Sequence, residues 1–168
     1  IGVGQFILSD VNTILLDLQP IIRTIFTQDT ELRFDLAEKL PLVLVDHSQL
    51  EQAILNLCIN SRDAMTQGGT LTIVSRSVYF DAPEEIHALQ NKGTYVAIDI
   101  QDTGEGMDEA TFTRLFEPFF TTKPMDQGTG LGLTMVDMIM KAHKGFVVCK
   151  SELHVGTTFT LYLPAERS

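Results

Sequence analysis

Three groups of residues have the types and spacing for nucleotide chemistry. Asp102 follows an apolar run, Tyr95 to Ile100, and opens the stretch DTGEGM. A carboxylate there can accept hydrogen bonds from a buried amine such as the exocyclic amino group of adenine, and a charged acceptor discriminates well. Gly104 and Gly106 let the backbone turn without a side chain in the space a flat base would take. Further on, Gly128, Gly130 and Gly132 of GTGLGL precede a helical pattern, where unpaired N–H groups and the helix dipole favour phosphate. Base at one end and phosphates at the other imply ATP or a relative.

The third group is Asn56, Asn60 and Asp63, spaced i, i+4 and i+7 so that they share one stripe of a helix. Two carboxamides one turn apart can surround a hydrated Mg²⁺ ion and a phosphate, because rigid oxygen ligands plus waters suit that ion. Each group also has a plainer reading. DxGxG is a common tight turn, GxGxG before a helix is a close-packing device, and helix asparagines often bond to backbone. Order and proximity favour a shared site.

The elements that must position these residues follow from periodicity. Residues 1–9 read as a linker remnant or a short strand, and Asp10 to Asn12 precede an amphipathic run ending near Phe26, with Pro20 inside it as a possible bend. Glu31 to Leu36 and Leu42 to Val45 alternate or run apolar like strands. Ser48-Gln-Leu-Glu51 forms a capping box for the asparagine helix, which is expected to reach about Thr66 with Leu50, Ala53, Ile54, Leu57, Cys58, Ser61 and Ala64 toward the core. Thr70 to Val78 and Tyr95 to Ile100 read as strands around a solvated excursion, Phe80 to Gly93. Asp108 caps a short helix through Leu115, and Leu131 to Ala142 forms a long one with Leu133, Val136 and Met140 inward. Gly145 to Lys150 and Thr157 to Leu163 close the chain as strands joined by a turn, Leu153 to Gly156. The expected fold is an α+β two-layer sandwich: a mixed, mostly antiparallel sheet of about five strands, with three main helices on one face. The domain spans 10–164, followed by a tail, 165–168.

Composition bounds the partners. The 168 residues carry 12 basic and 22 acidic side chains, a net charge of −10, with 44% hydrophobic residues. That balance argues against nucleic acid, which is bound through Lys and Arg, and against contact with an anionic membrane surface. It also repels ATP, so phosphate binding must rest on local donors and a cation. Cys58 and Cys149 lie in apolar runs without metal-ligand spacing and read as core residues of a reducing, cytoplasmic setting. No apolar run approaches the roughly 20 residues of a membrane span. The chain opens on Ile1, so a cut-out of something longer is expected.

The boxes LEQAILNLCINSRDAM, DTGEGM, FEPFFTTK, GTGLGL and GTTFTLYLP, in this order and spacing, resemble the catalytic ATP-binding domain of sensor histidine kinases. Those domains belong to a superfamily shared with DNA gyrase, an ATP-driven heat-shock chaperone and the MutL repair proteins. The wording NSRDAM and FFTTK is nearest to nitrogen-regulation-type and hybrid kinases. The resemblance implies a Bergerat-type ATP-binding fold, ATP with Mg²⁺, and phosphoryl transfer to a histidine. By position, Asp102 matches the adenine-reading aspartate, Gly104 and Gly106 shape its pocket, and Thr157 supports the base. Asn56 and Asn60 match the residues that engage Mg²⁺ and phosphate, with Asp63 beside them. Gly128, Thr129, Gly130, Leu131 and Gly132 match the phosphate-facing box. Phe116, Phe119 and Phe120 match an aromatic box beside a lid of about Thr121 to Gly130, which includes Thr122, and Lys123 is placed to meet the γ-phosphate.

Where the superfamily's ATPases carry a glutamate four residues before the magnesium asparagine, this chain has Asn56, and an amide cannot take a proton from water. The resemblance therefore favours transfer over hydrolysis. No helix carrying a phosphoacceptor histidine precedes residue 10, and His47, His87, His143 and His154 lack that context. The implied partners are the dimerisation domain of the longer protein and a response-regulator receiver domain, with this piece itself monomeric. A non-catalytic nucleotide-sensing or protein-interaction module of the same fold is the alternative.

Overall fold

The structure, a computed structural model, describes residues 5–81, 92–113 and 132–166. Its first helix, α1 (Val11–Ile25), is capped by Asp10, whose carboxylate accepts the Asn12 N–H at 2.9 Å. Val11, Ile14, Leu15, Leu18 and Ile22 then repeat at helical spacing and are all buried, so one stripe faces the core, and the helix runs through Pro20.

Five strands form the main sheet in the order β2-β4-β5-β7-β6, namely β2 (Thr30–Leu36), β4 (Gly69–Phe80), β5 (Gly93–Asp102), β7 (Gly156–Pro164) and β6 (Phe146–Glu152). Only β2 and β4 pair in parallel; the other three pairings are antiparallel. Side chains alternate across the sheet, so Leu71, Ile73, Val96, Ile98, Ile100, Phe159, Leu161 and Leu163 all reach one face and are buried there. The helices α2 (His47–Ala64) and α4 (Gly132–Ala142) cover that face with α1, and α2 packs against both of the others, while a short α3 (Glu109–Thr113) follows Asp108, whose carboxylate accepts the Thr111 N–H. At about 1.5–3 kcal/mol for each fully buried aliphatic side chain, this one interface supplies most of the drive to fold. The architecture is the α+β sandwich expected from the pattern.

Of the two readings for residues 1–9 the strand holds: Phe6–Ser9 form β1, which pairs antiparallel with β3 (Val43–Asp46) as a separate two-stranded ribbon. The cap of α2 is Asp46, not Ser48: Asp46 ends β3 with extended backbone, and its carboxylate accepts the Gln49 N–H at 3.1 Å. Ser48 is already inside the helix, so the box motif lost to a carboxylate that the strand delivers one turn earlier. The helix stops at Ala64, with Met65 as its C-cap.

The strand β4 reaches Phe80, beyond the expected Val78, because the other sheet face carries a small aromatic cluster. Phe80 meets Tyr95 and Tyr162, each with ring centroids 5.5 Å away, and Phe146 stacks on Tyr162 at 4.7 Å. Arg76 lies over the Tyr162 ring and pairs with Asp99 at 2.8 Å.

Candidate functional site

The site is built around the end of β5. Asp102 is its last residue, sits in register with Leu71 of β4 and Thr157 of β7, and is buried. Its Oδ1 accepts the Gly104 N–H at 2.9 Å and the Thr157 N–H at 3.2 Å. Burial raises the pKa of this carboxyl, opposed by the Gly104 amide, the Ser61 hydroxyl and the Thr157 amide, all of which favour the ionised form. The outcome is a carboxyl acceptor in a dry place, oriented by two backbone donors. Thr157 is buried as well, and its hydroxyl bonds the Ser151 hydroxyl at 2.8 Å. Ser151 Oγ also accepts the Met107 N–H at 2.9 Å, which fastens the loop after Asp102 to β6.

The two glycines of that loop have a different reason from the one expected. A Cβ at Gly104 would come within 2.6 Å of the Ala64 carbonyl oxygen, and one at Gly106 would collide with the Glu152 carbonyl. Gly106 also has φ +69°, the left-handed region that glycine adopts without strain. The loop is thus clamped between the end of α2 and the β6–β7 turn, with Glu105 N–H donating to Ala64 O at 3.1 Å and His154 N–H donating to Glu105 O at 2.6 Å. The glycines permit close packing of backbone on backbone, and the position of the Asp102 cradle follows from that.

The second wall is α2. Ser61 and Ala64 stand beside the Asp102 loop, and Asn60 immediately precedes Ser61. Asn60 is half-buried. One turn earlier, Asn56 Nδ2 donates to Met135 Sδ of α4 at 3.9 Å, and Gln52 Nε2 reaches the same sulfur at 2.7 Å. Those contacts hold α4, which begins at Gly132, alongside the asparagine helix. Asn56 is half-buried on this wall, and carboxamide oxygens are donors of the kind that fit Mg²⁺. Asp63 forms an ion pair with its neighbour Arg62 at 3.1 Å.

Asp102, Gly104, Gly106 and Thr157 therefore come together at one end of the sheet, with Asn60 and Asn56 on the adjacent helix. Phe116, Phe119, Phe120, Thr121, Thr122, Lys123, Gly128, Thr129, Gly130 and Leu131 lie outside the described residues. Sequence reasoning missed two members. Ser61 read as one more core position on α2, and Ser151 lay in a strand with no motif around it. The available signal for Ser61 was a hydroxyl on an otherwise apolar stripe, directly after Asn60.

His47, His143 and the two cysteines pack within the fold. His143 is buried, donates from Nδ1 to Ile139 O at 2.8 Å and accepts the Asp46 N–H on Nε2 at 3.1 Å. His47 Nε2 bonds Ser9 Oγ at 2.7 Å. Burial pushes the thiols of Cys58 and Cys149 up to about 12, so neither is a nucleophile near neutrality. Among the described residues no helix is long and apolar enough to cross a membrane.

A helix-covered sheet whose central strand ends in a buried carboxylate, with a polar helix face beside it, defines a nucleotide-binding class of domain. Residues 45–167 match the model of the family described as histidine kinase-, DNA gyrase B-, and HSP90-like ATPase. The chain belongs to that family. It is 39% identical over 156 residues to the sensor kinase CckA of Brucella abortus (strain 2308), covering 92% of this chain and 16% of that protein. The sensor histidine kinase ZraS of Escherichia coli (strain K12) is 32% identical over 156 residues, or 92% of this chain and 30% of the relative. The chain thus spans less than a third of the length of either curated relative. In fold it is similar to the full-length ShkA structure in complex with AMPPNP, with TM-score 0.79, 23% identity, and coverage of 99% of this chain and 32% of that one. It is also similar to the catalytic domain of histidine kinase ThkA, with TM-score 0.73, 23% identity, and 96% of both chains covered.

Proposed function

We propose that this chain is the catalytic domain of a cytoplasmic two-component sensor histidine kinase, with its domain spanning residues 10–164. It binds Mg²⁺-ATP and presents the γ-phosphoryl group to a histidine on a separate dimerisation domain, from which a response-regulator receiver domain takes the phosphate. The observation that carries the reading is Asp102, a buried carboxylate with Oδ1 held by the Gly104 and Thr157 amides at the end of the central strand. Such a group recognises an amine donor from a flat base and little else, because any ligand without that donor leaves the charge unpaired.

From that anchor, the phosphates extend along α2 toward the start of α4. Asn56 and Asn60 would hold Mg²⁺ through their carbonyl oxygens, and the ion when bound neutralises charge on the phosphates. Lys123 and the amides near Gly130 are assigned to the γ-phosphate from the likeness of their sequence boxes. Transfer then needs positioning above all: a histidine ring nitrogen attacks the γ-phosphorus, the bond to the β–γ bridging oxygen breaks, and ADP leaves. Asn56 supports transfer over hydrolysis, since its carboxamide cannot deprotonate a water.

The test is transfer in trans. The chain is incubated with γ-labelled ATP, Mg²⁺ and the histidine-bearing helical domain of the CckA relative. An acid-labile phosphohistidine on the helical domain is expected. Release of inorganic phosphate without phosphoprotein would point to a hydrolase, and nucleotide binding without either product to a sensing module.

A further inference from the structure

We propose that β1 is a strap whose seating on β3 is coupled to nucleotide binding, through the junction of His143 and Asp46 that joins α4 to α2. A bound nucleotide holds the strap down, and release of the strap weakens the nucleotide. The inference rests on the nucleotide reading of the site and adds a regulatory element to it. The strap is lightly held. Of its four residues only Ser9 is buried, whereas Phe6, Ile7 and Leu8 are between 39% and 49% exposed. Besides its ladder with β3 it has three contacts. Gln5 N–H donates to Asp46 Oδ2 at 2.9 Å, the Phe6 ring lies 4.8 Å from the His143 ring, and Ser9 Oγ bonds His47 Nε2 at 2.7 Å. A ribbon strand with so little apolar burial opens locally at lower cost than the sheet behind the helices.

All three contacts end on one junction. Asp46 caps α2 by accepting the Gln49 N–H, and its own N–H donates to His143 Nε2 at 3.1 Å. His143 directly follows α4 and donates from Nδ1 to Ile139 O inside that helix, while His47 is the first residue of α2. The strap therefore clamps the N-terminal end of α2 against the C-terminal end of α4. Further along, the same two helices carry the candidate nucleotide groups: Asn56 and Asn60 on α2, and the first turns of α4, where Met135 receives the amides of Gln52 and Asn56. With 11 residues, α4 is about 16 Å long at the helical rise and shifts as one body, so a change at His143 is felt at Gly132. Such coupling is reciprocal: whatever the strap does to nucleotide affinity, the nucleotide does to the strap.

The experiment is amide hydrogen exchange of the chain with and without saturating ADP, together with calorimetric titration of ADP into the chain and into Phe6→Ala. Exchange of the β1 amides, Ile7 to Ser9, is expected to slow about fivefold when ADP is added, and Phe6→Ala to weaken ADP binding by about the same factor, the low end of couplings between sites. Amides of β2, an edge of the main sheet, should exchange as before. A strand that serves the fold alone would open equally often with and without ADP. Unchanged β1 exchange with ADP bound, slowing no greater than that of β2, or parent-like ADP binding by a folded Phe6→Ala would overturn the coupling and leave the nucleotide reading standing. If Phe6→Ala does not fold, the exchange of the parent alone decides. Absence of saturable ADP binding by the parent would overturn both.

Discussion

The backbone N–H of Thr157 donates to Asp102 Oδ1 at 3.2 Å, so the first turn-out of β7 holds the carboxylate that ends β5. The same Thr157 ties its hydroxyl to Ser151 of β6, and Ser151 in turn takes the Met107 amide. Three strands and the loop after Asp102 thereby fix one oxygen. Orientation of this kind lets a single carboxylate discriminate among bases, because the entropy of placing it is lost on folding and not on binding.

Acid should weaken nucleotide binding earlier than an exposed aspartate would allow. Burial raises the folded-state pKa of Asp102. For stability, the contribution of such a group is fully present below its unfolded pKa and is lost as pH rises through the folded one, so the ionised form costs stability near neutrality. Binding has the opposite sign, since the carboxylate must be charged to accept from the base. ADP affinity measured by calorimetry at descending pH should fall as pH drops through the raised pKa. A pH-independent affinity down to the ordinary carboxylate range would contradict the assignment.

Gly106→Ala should disrupt the loop. The residue has φ +69° and a Cβ would collide with the Glu152 carbonyl, so both backbone strain and a clash arise. A loss of roughly 2–4 kcal/mol in denaturant unfolding is expected, with nucleotide affinity reduced as the Asp102 cradle shifts. Near-parent stability would mean that the β6–β7 turn yields easily.

The junction of β3, α2 and α4 should be a point of stability. Asp46 caps α2, and its own N–H donates to His143 Nε2 from 97 residues away in sequence. His143→Ala would leave that buried N–H unpaired and open a cavity, costing about 3 kcal/mol. Asp46→Ala should cost about 1–2 kcal/mol as an N-cap loss. Hydrogen bonds from the Gln49 amide in the main hold the Asp46 pKa below the usual range, so its contribution is present above the unfolded pKa and lost as pH falls through the folded one. The two substitutions share one network, and their costs should not add. Unfolding of both single variants and the double variant checks this.

How much of this was legible beforehand depended on the range of the interactions. The asparagine helix and the strand leading to Asp102 and its glycine turn could be read, because local periodicity and turn chemistry specify them, whereas Thr157 was joined to Asp102 only by the resemblance of the sequence boxes. The cap of α2 was misread since both Asp46 and Ser48 are good caps, and only the end of β3 decides between them. The link from His143 to Asp46 spans distant elements, and no local pattern encodes it. The glycines were recognised for the right freedom and the wrong neighbour: backbone of α2 and of the β6–β7 turn fills the space that had been left for a base. Ser61 was hidden because a small residue on a core stripe satisfies a hydrophobic pattern whatever its hydroxyl does.

Asn60→Ala should weaken Mg²⁺-dependent binding far more than Mg²⁺-free binding. If the carboxamide oxygen holds the cation, the parent gains affinity for a nonhydrolysable ATP analogue on adding Mg²⁺, and the variant loses most of that gain. Titrations with Mg²⁺ and with a chelator separate the two, and equal losses in both would remove the metal role.

The most direct measurement is calorimetric titration of ADP into the chain and into Asp102→Asn. The amide can still accept the Gly104 and Thr157 N–H groups through its oxygen, so the unfolding midpoint should be kept or raised. It replaces a charged acceptor by a neutral group that also donates, so binding should fall by roughly 10- to 100-fold or beyond detection. Saturable ADP binding by the parent together with its loss in a folded Asp102→Asn is the expected result. Equal affinity in both proteins, or no binding by the parent, would contradict the account.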